Sequence, residues 1–141
     1  MKIKPVTAAE KRSWPKKTII KMEKPFVDAR GIIQPLVDVD MKSALMISSR
    51  KGTVRANHYH KTDWHYCYVI TGAIDYFERP VGSKRKPRKV RVNAGELFFT
   101  PPMVEHAMLF VKDTVFLTLS RNIRSQEAYE KDLVRVDVIK G

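Results

Sequence analysis

Short runs rich in β-branched and aromatic residues recur along this chain, and that pattern constrains its fold more than any other feature. Ser43–Ser49 (SALMISS), Tyr66–Thr71 (YCYVIT), Ala73–Glu78 (AIDYFE), Glu96–Thr100 (ELFFT) and Val115–Ser120 (VFLTLS) are each bounded by Gly, Pro, Asp or Asn. Val54–His60 also reads as extended. A spacing of about ten residues between such runs is that of a sandwich or barrel. Turns are legible at Thr71-Gly72, Asn93-Ala94-Gly95, Pro101-Pro102 and Lys112-Asp113. Helical periodicity is confined to Ser125–Lys131, which predicts one short helix with only a weak cap between Ser125 and Ala128. Asp132–Ile139 alternates and predicts a closing edge strand. Pro80–Lys89, rich in Pro, Gly, Lys and Arg, predicts a loop. The expectation is a small all-β unit over residues 17–141, preceded by a basic N-terminal arm over residues 1–16.

A chain of 141 residues with 43% hydrophobic content can bury one core unaided. No apolar stretch approaches the roughly 20 residues a membrane helix needs. The N-terminal residues MKIKPVTAAEKRSWPKK lack the apolar middle of a secretory signal. The single cysteine, Cys67, excludes an intramolecular disulfide. A soluble, cytoplasmic protein follows, with no membrane partner. The net charge of +12 raises the local concentration of anions. Much of it lies in the N-terminal arm and in Ser83–Arg91. That run carries no aromatic residue on which bases stack, which argues for a solvated loop or a steering field for a small anion, and against nucleic acid.

Histidine is scarce, yet three of the four fall between Gly52 and Gly72. His58 and His60 are two apart on an extended run, so their imidazoles share a face. His65 follows the polar break Lys61-Thr62-Asp63, where a reversal brings it beside the pair. His106 follows the Pro-Pro turn. Lone histidines are mostly not ligands, but this set, His58, His60, His65 and His106, suits a shared metal or substrate. Imidazole favours Zn, Fe, Ni or Cu.

These spacings resemble the two cupin motifs. Gly52-x5-His58-x-His60-x4-His65-x6-Gly72 is similar to the first, with His65 in place of the usual glutamate. Gly95-x5-Pro101-x-Met103-x2-His106-x3-Phe110 is similar to the second, with Met103 for its glycine and Phe110 for its asparagine. The resemblance implies a small single-domain β-barrel of jelly-roll type with a short C-terminal helix, its four histidines converging at the mouth, commonly on a divalent metal. It also implies a homodimer.

A narrower resemblance is to cupins acting on nucleotide-linked sugars, the dTDP-4-dehydrorhamnose 3,5-epimerases and dTDP-keto-6-deoxyhexose 3,4-isomerases. Asp28-Ala-Arg30-Gly31, Arg55-Ala-Asn-His58-Tyr-His60-Lys61, Pro102 to His106, and the tail from Glu127 to Arg135 carry it. This implies proton transfer next to a carbonyl, with His58 or His60 as base and Tyr66, Tyr68 or Tyr76 as hydroxyl donor. Arg30, Arg55, Lys61 and Trp64 would bind the nucleotide diphosphate. Arg30 in a turn ion pair with Asp28, Arg55 on the outer face and the tyrosines as packing residues are the plainer alternatives. Cys67, in register with His65, reads as a buried small hydrophobe rather than a thiolate ligand. The sugar enzymes are described as metal-free, whereas His65 moves the set toward metal. A metal-dependent cupin such as a dioxygenase on a small molecule, or a ligand-binding cupin without catalysis, stays open beside the isomerase.

Overall fold

Strand follows strand through most of the chain, and the two helices are short. The computed structural model describes residues 3–141. Their order is α1 (Ala8–Ser13), β1 (Ile19–Ile20), β2 (Phe26–Asp28), β3 (Gly31–Ile33), β4 (Ser43–Ser49), β5 (Val54–His60), β6 (His65–Thr71), β7 (Ala73–Pro80), β8 (Arg88–Asn93), β9 (Leu97–Thr100), β10 (Val104–Phe110), β11 (Thr114–Ser120), α2 (Gln126–Asp132) and β12 (Leu133–Arg135). Two five-stranded sheets, β1-β9-β6-β11-β4 and β12-β5-β10-β7-β8, face each other, and β2-β3 forms a separate ribbon. Each strand pair is antiparallel.

Alternation decides what lies between the sheets. On β11, Thr114, Phe116, Thr118 and Ser120 point inward and the residues between them do not. On β6 the inward set is His65, Cys67 and Val69. One end of the interior is therefore apolar, packed by Val69, Ile74, Val92, Phe98, Phe110 and Phe116. Burying each of the large side chains there contributes about 2 kcal/mol. The other end is polar. A second cluster, Trp64, Tyr66, Leu97 and Phe99, lies on the outer face of the first sheet and packs against Trp14 and Ile20.

The β6–β7 turn depends on Gly72, whose φ is +93°. A Cβ there would collide with the Thr114 side chain and the Asp113 carbonyl, so both conformation and space demand glycine.

Strand β5 departs from the plain extended run expected of it. Ala56 (φ 72°) and Asn57 (φ 55°) are left-handed. His106 pairs with His58 but Ala107 with Ala56, so Asn57 is an extra residue, a β-bulge. Asparagine tolerates this conformation better than alanine does. The Asn57 side-chain oxygen accepts from the Val138 and Ile139 amides, and its carbonyl accepts from Val136. The last residues thus strap the bulge in place.

Three further expectations change. The edge strand foreseen over Asp132–Ile139 shrinks to Leu133–Arg135, because Asp132 is spent in α2 and residues beyond Arg135 turn to strap Asn57. The basic run is not all loop: β7 extends to Pro80 and β8 begins at Arg88. Cross-strand ion pairs, Arg88–Glu78 at 2.8 Å and Arg91–Asp75 at 2.5 Å, let charged residues occupy paired strands. Ser125 is a working N-cap, its hydroxyl accepting from the Ala128 amide at 3.1 Å. Among the described residues no helix is long and apolar enough to cross a membrane.

Candidate active site

Four imidazoles meet at the polar end of the interior. His58 and His60 come from β5, His106 from its neighbour β10, and His65 from β6 in the facing sheet. His106 is the direct strand partner of His58. Ring centroids lie 4.7 Å apart for His58–His60 and for His58–His106, and 4.8 Å for His60–His65. They line a cavity of about 200 Å³ together with Asp63, Thr100, Tyr76, Ser120, Tyr129 and Asp132.

Hydrogen bonds orient the rings. The His106 Nδ1–H donates to the Val104 carbonyl at 3.0 Å, which leaves Nε2 with a lone pair facing the cavity. His65 Nδ1 meets the Ser120 hydroxyl at 2.7 Å, while its Nε2 lies 3.1 Å from the Nε2 of His60. The other His60 nitrogen, Nδ1, is buried and makes no hydrogen bond. It faces the Asp132 carboxylate at 3.5 Å. That carboxylate accepts from the Thr62 amide at 2.9 Å, the Thr62 hydroxyl at 2.5 Å and the Asp63 amide at 3.0 Å.

Burial sets the protonation states. Desolvation, then repulsion from His106, His60 and His65, drives His58 far below the usual imidazole value. Desolvation does the same to His65, aided by His60 and His106. His106 falls to about 4, again chiefly from desolvation, with the Val104 hydrogen bond opposing. These three rings are neutral at pH 7. Burial raises Asp63 to about 6, against the pull of the Asn122 amide. Burial would raise Asp132 too, but the adjacent His60 ring and the hydrogen bonds from Thr62 and the Asp63 amide outweigh it and hold the carboxyl at about 2. Cys67 lines the cavity as a buried thiol pushed up to about 12 by desolvation, so it is protonated at pH 7.

The donor set fits a divalent transition metal. Ligand atoms of His58, His60 and His106 lie within 4.8 Å of one another, as do those of His60, Asp63 and His65. The rings of His58, His65 and His106 present neutral nitrogens, and the second nitrogens of His106, His65 and His60 are turned to a carbonyl, a hydroxyl and a carboxylate.

The other residues singled out from the sequence fare unevenly. Arg55 lines the cavity, its guanidinium donating to the Ser49 hydroxyl and the Ser48 carbonyl. Arg30 lies apart on the β2-β3 ribbon, paired with Asp28. Lys61 is exposed and reaches only the Lys131 carbonyl, at 3.5 Å. Trp64, Tyr66 and Tyr68 belong to the outer cluster, because they alternate with His65 and Cys67 and so face away from the cavity. The Trp64 indole donates to Glu10 of α1 at 2.8 Å. Of the three tyrosines considered, only Tyr76 reaches the cavity, bonded to the Thr100 hydroxyl at 2.8 Å.

Asp63, Asp132 and Tyr129 are functional candidates that the sequence did not mark. Asp63 sits in a break that reads as a turn, and Asp132 at the start of an alternating run that reads as strand. Tyr129, from α2, brings its ring within 6.0 Å of His60 and 6.5 Å of His58.

Two antiparallel sheets with a histidine-lined chamber at one end define a cupin-type fold, the one found in sugar-nucleotide isomerases and epimerases. Among solved structures, this chain is similar to QdtA, a sugar 3,4-ketoisomerase from Thermoanaerobacterium thermosaccharolyticum in complex with TDP (TM-score 0.69, 20% identity, 84% of this chain and 87% of that one). It is similar to a 3,4-ketoisomerase from Helicobacter canadensis (0.69, 16%, 83% and 88%). A third is the dTDP-4-dehydrorhamnose 3,5-epimerase from Sulfolobus tokodaii (0.64, 21%, 77% and 72%). No family model matches the chain, and no curated protein matches it.

Proposed function

We infer that this protein is an isomerase or epimerase of a nucleotide-linked keto-deoxysugar, moving a proton next to a carbonyl. The observation that carries the reading is a buried chamber of four imidazoles with the Asp132 carboxylate 3.5 Å behind His60. A base must lie within hydrogen-bond reach of the carbon acid and be oriented by a partner on its other side. His60 fills that role: its Nε2 takes the proton, and Asp132 stabilises the imidazolium that results. His58 offers a polar contact to the carbonyl oxygen, and the Nε2 lone pair of His106 accepts from a neighbouring sugar hydroxyl. Tyr129 supplies the phenol that donates to the developing enolate, a part the outward-facing Tyr66 and Tyr68 are not placed to play. For an isomerase, returning the carbon proton to the neighbouring carbon while the adjoining hydroxyl gives its own proton back to the Tyr129 phenolate completes the reaction; for an epimerase, the proton returns to the opposite face of the same carbon and the enol proton to Tyr129. Neither changes the net atoms or electrons.

A second reading keeps the same chamber as a metal site, with His58, His60, His65 and His106 as ligands for Fe, Zn, Ni or Cu. The inward, all-nitrogen donor set favours it. Such a metal would supply Lewis-acid polarisation of a carbonyl, or the chemistry of a dioxygenase.

The chain works as one barrel unit behind its basic arm, in the cytoplasm, and as a homodimer. Support for the dimer is the β2-β3 ribbon, whose Phe26, Val27, Ile32 and Ile33 are all more than half exposed. The test is incubation with TDP-4-keto-6-deoxyglucose, the ligand held in another QdtA structure, in deuterated water. Deuterium appearing beside the keto group by NMR, and persisting after chelation, is expected. No exchange, together with one equivalent of tightly held metal, would move the function to the second reading.

A further inference from the structure

Behind His60 the polar contacts run on through Asp132, Thr62 and Asn122 to Arg121, and the direction of each hydrogen bond is fixed. The Asp132 carboxylate turns Oδ2 toward the His60 Nδ1 at 3.5 Å. Its Oδ1 is held from the other side by Thr62, through the amide at 2.9 Å and the hydroxyl at 2.5 Å. The Thr62 hydroxyl oxygen in turn accepts from the Asn122 side-chain amide at 3.0 Å. The Asn122 side-chain oxygen accepts from the Arg121 guanidinium at 2.9 Å.

A guanidinium carries donors and no acceptor. Arg121 therefore decides which end of the Asn122 amide is oxygen, and leaves its NH2 group for Thr62. A hydroxyl has one hydrogen to give. Since the Asn122 amide reaches the Thr62 oxygen as a donor, that hydrogen goes to Asp132. From Arg121 onward every donor points at the carboxylate. The far end is anchored as well, because Arg121 also donates to the Glu10 carboxylate of α1 at 2.6 Å.

The structure assigns Thr62 as a positioning residue for the base, acting on His60 through Asp132, with Asn122 fixing the direction of its hydroxyl. This role rests on the isomerase reading above. Thr62 lies behind the wall of the chamber, whereas Asp132 lines it. Two bonds to one oxygen, from the amide and the hydroxyl of the same residue, keep the carboxylate from rotating about its Cβ–Cγ bond. The second oxygen then already faces the imidazole when His60 takes up a proton, and nothing has to reorganise at that moment. A charge-assisted hydrogen bond of this kind is among the stronger ones a neutral side chain makes.

Deuterium exchange into TDP-4-keto-6-deoxyglucose, followed under steady-state conditions with the full chain, tests the role. Thr62→Val is expected to lower kcat about tenfold, the loss of one hydrogen bond to a charged group, with KM within about twofold. Thr62→Ala, which removes the hydroxyl without adding bulk, is expected to match it. Thr62→Ser restores the hydroxyl and is expected to return kcat to within about twofold of wild type. Thr62→Val combined with Asp132→Asn is expected to be less than about twofold slower than Asp132→Asn alone, because the two side chains act as one unit. Thermal melts check that the variants fold. If Thr62→Val and Thr62→Ala keep wild-type turnover, or if their losses multiply with that of Asp132→Asn, the role is overturned while the isomerase reading stands. If wild type exchanges no deuterium, the isomerase reading fails and takes the role with it.

Discussion

The two ends of the interior are built by the same strands and have opposite chemistry. Strand β11 supplies Phe116 to the apolar end and Thr118 and Ser120 to the polar one; β6 likewise carries Val69 at one end and His65 at the other. At the apolar end, Val69, Ile74, Phe110 and Phe116 are fully buried and need no polar partner. At the polar end, His60 and His106 are 3% exposed, and one His60 nitrogen has no hydrogen bond. An unpaired buried polar atom costs about 1–3 kcal/mol. The apolar end offsets that cost and fixes the strands, so that four rings from three strands stay in register. Stability and chemistry are divided along the length of single strands.

The division can be broken from either side. Phe116→Ala is expected to destabilise by about 3–5 kcal/mol in urea unfolding, through lost burial and a cavity. Catalysis per folded molecule should change far less.

Acid is the next largest test. His58, His65 and His106 each bind a proton more readily unfolded, at the usual 6.5, than folded. Stability is therefore full above pH 6.5 and falls as pH drops toward 4, the His106 value. For His106 alone the loss between pH 7 and 4.5 is about 2.5 kcal/mol, and His58 and His65 add to it. Asp63, raised to about 6, acts oppositely and returns about 2 kcal/mol over the same interval. The net expectation is a urea midpoint that falls with acid, and a shallower fall in His106→Asn.

Asp132→Asn keeps the shape but removes the charge behind His60. It is expected to lower turnover about tenfold to a hundredfold, close to 2 kcal/mol, with KM little changed. A rise in KM alone would assign Asp132 to binding.

The smallest effect sharpens the fold itself. Met103, at φ 61°, occupies the place of the second-motif glycine, and its amide donates to the His60 carbonyl at 2.8 Å. Met103→Gly relieves a left-handed side-chain conformation and is expected to stabilise by about 0.5–1 kcal/mol in urea unfolding, the unfolded-state entropy of glycine offsetting part of the gain.

Particular residues show how much was legible. His58, His60, His65 and His106 could be grouped from spacing alone, because strand alternation and turn residues are local. Most strands were visible for the same reason, β5 even to its ends. Tyr66 and Tyr68 were misplaced although the rule was at hand: they share the parity of Trp64, not of His65. Strand β8 hid behind its charges, whose partners Glu78 and Asp75 lie on another strand. Asp132 was beyond reach, since its meaning comes from a contact with His60 that only the fold makes.

The strap on Asn57 has a consequence for how the chamber is aimed. Amides at positions 138 and 139 clasp the bulged residue next to His58 across more than eighty positions of chain. Cutting that clasp would leave every imidazole on its own strand yet loosen the one beside the bulge. A segment that lends the chamber no side chain thus shares in keeping its shape.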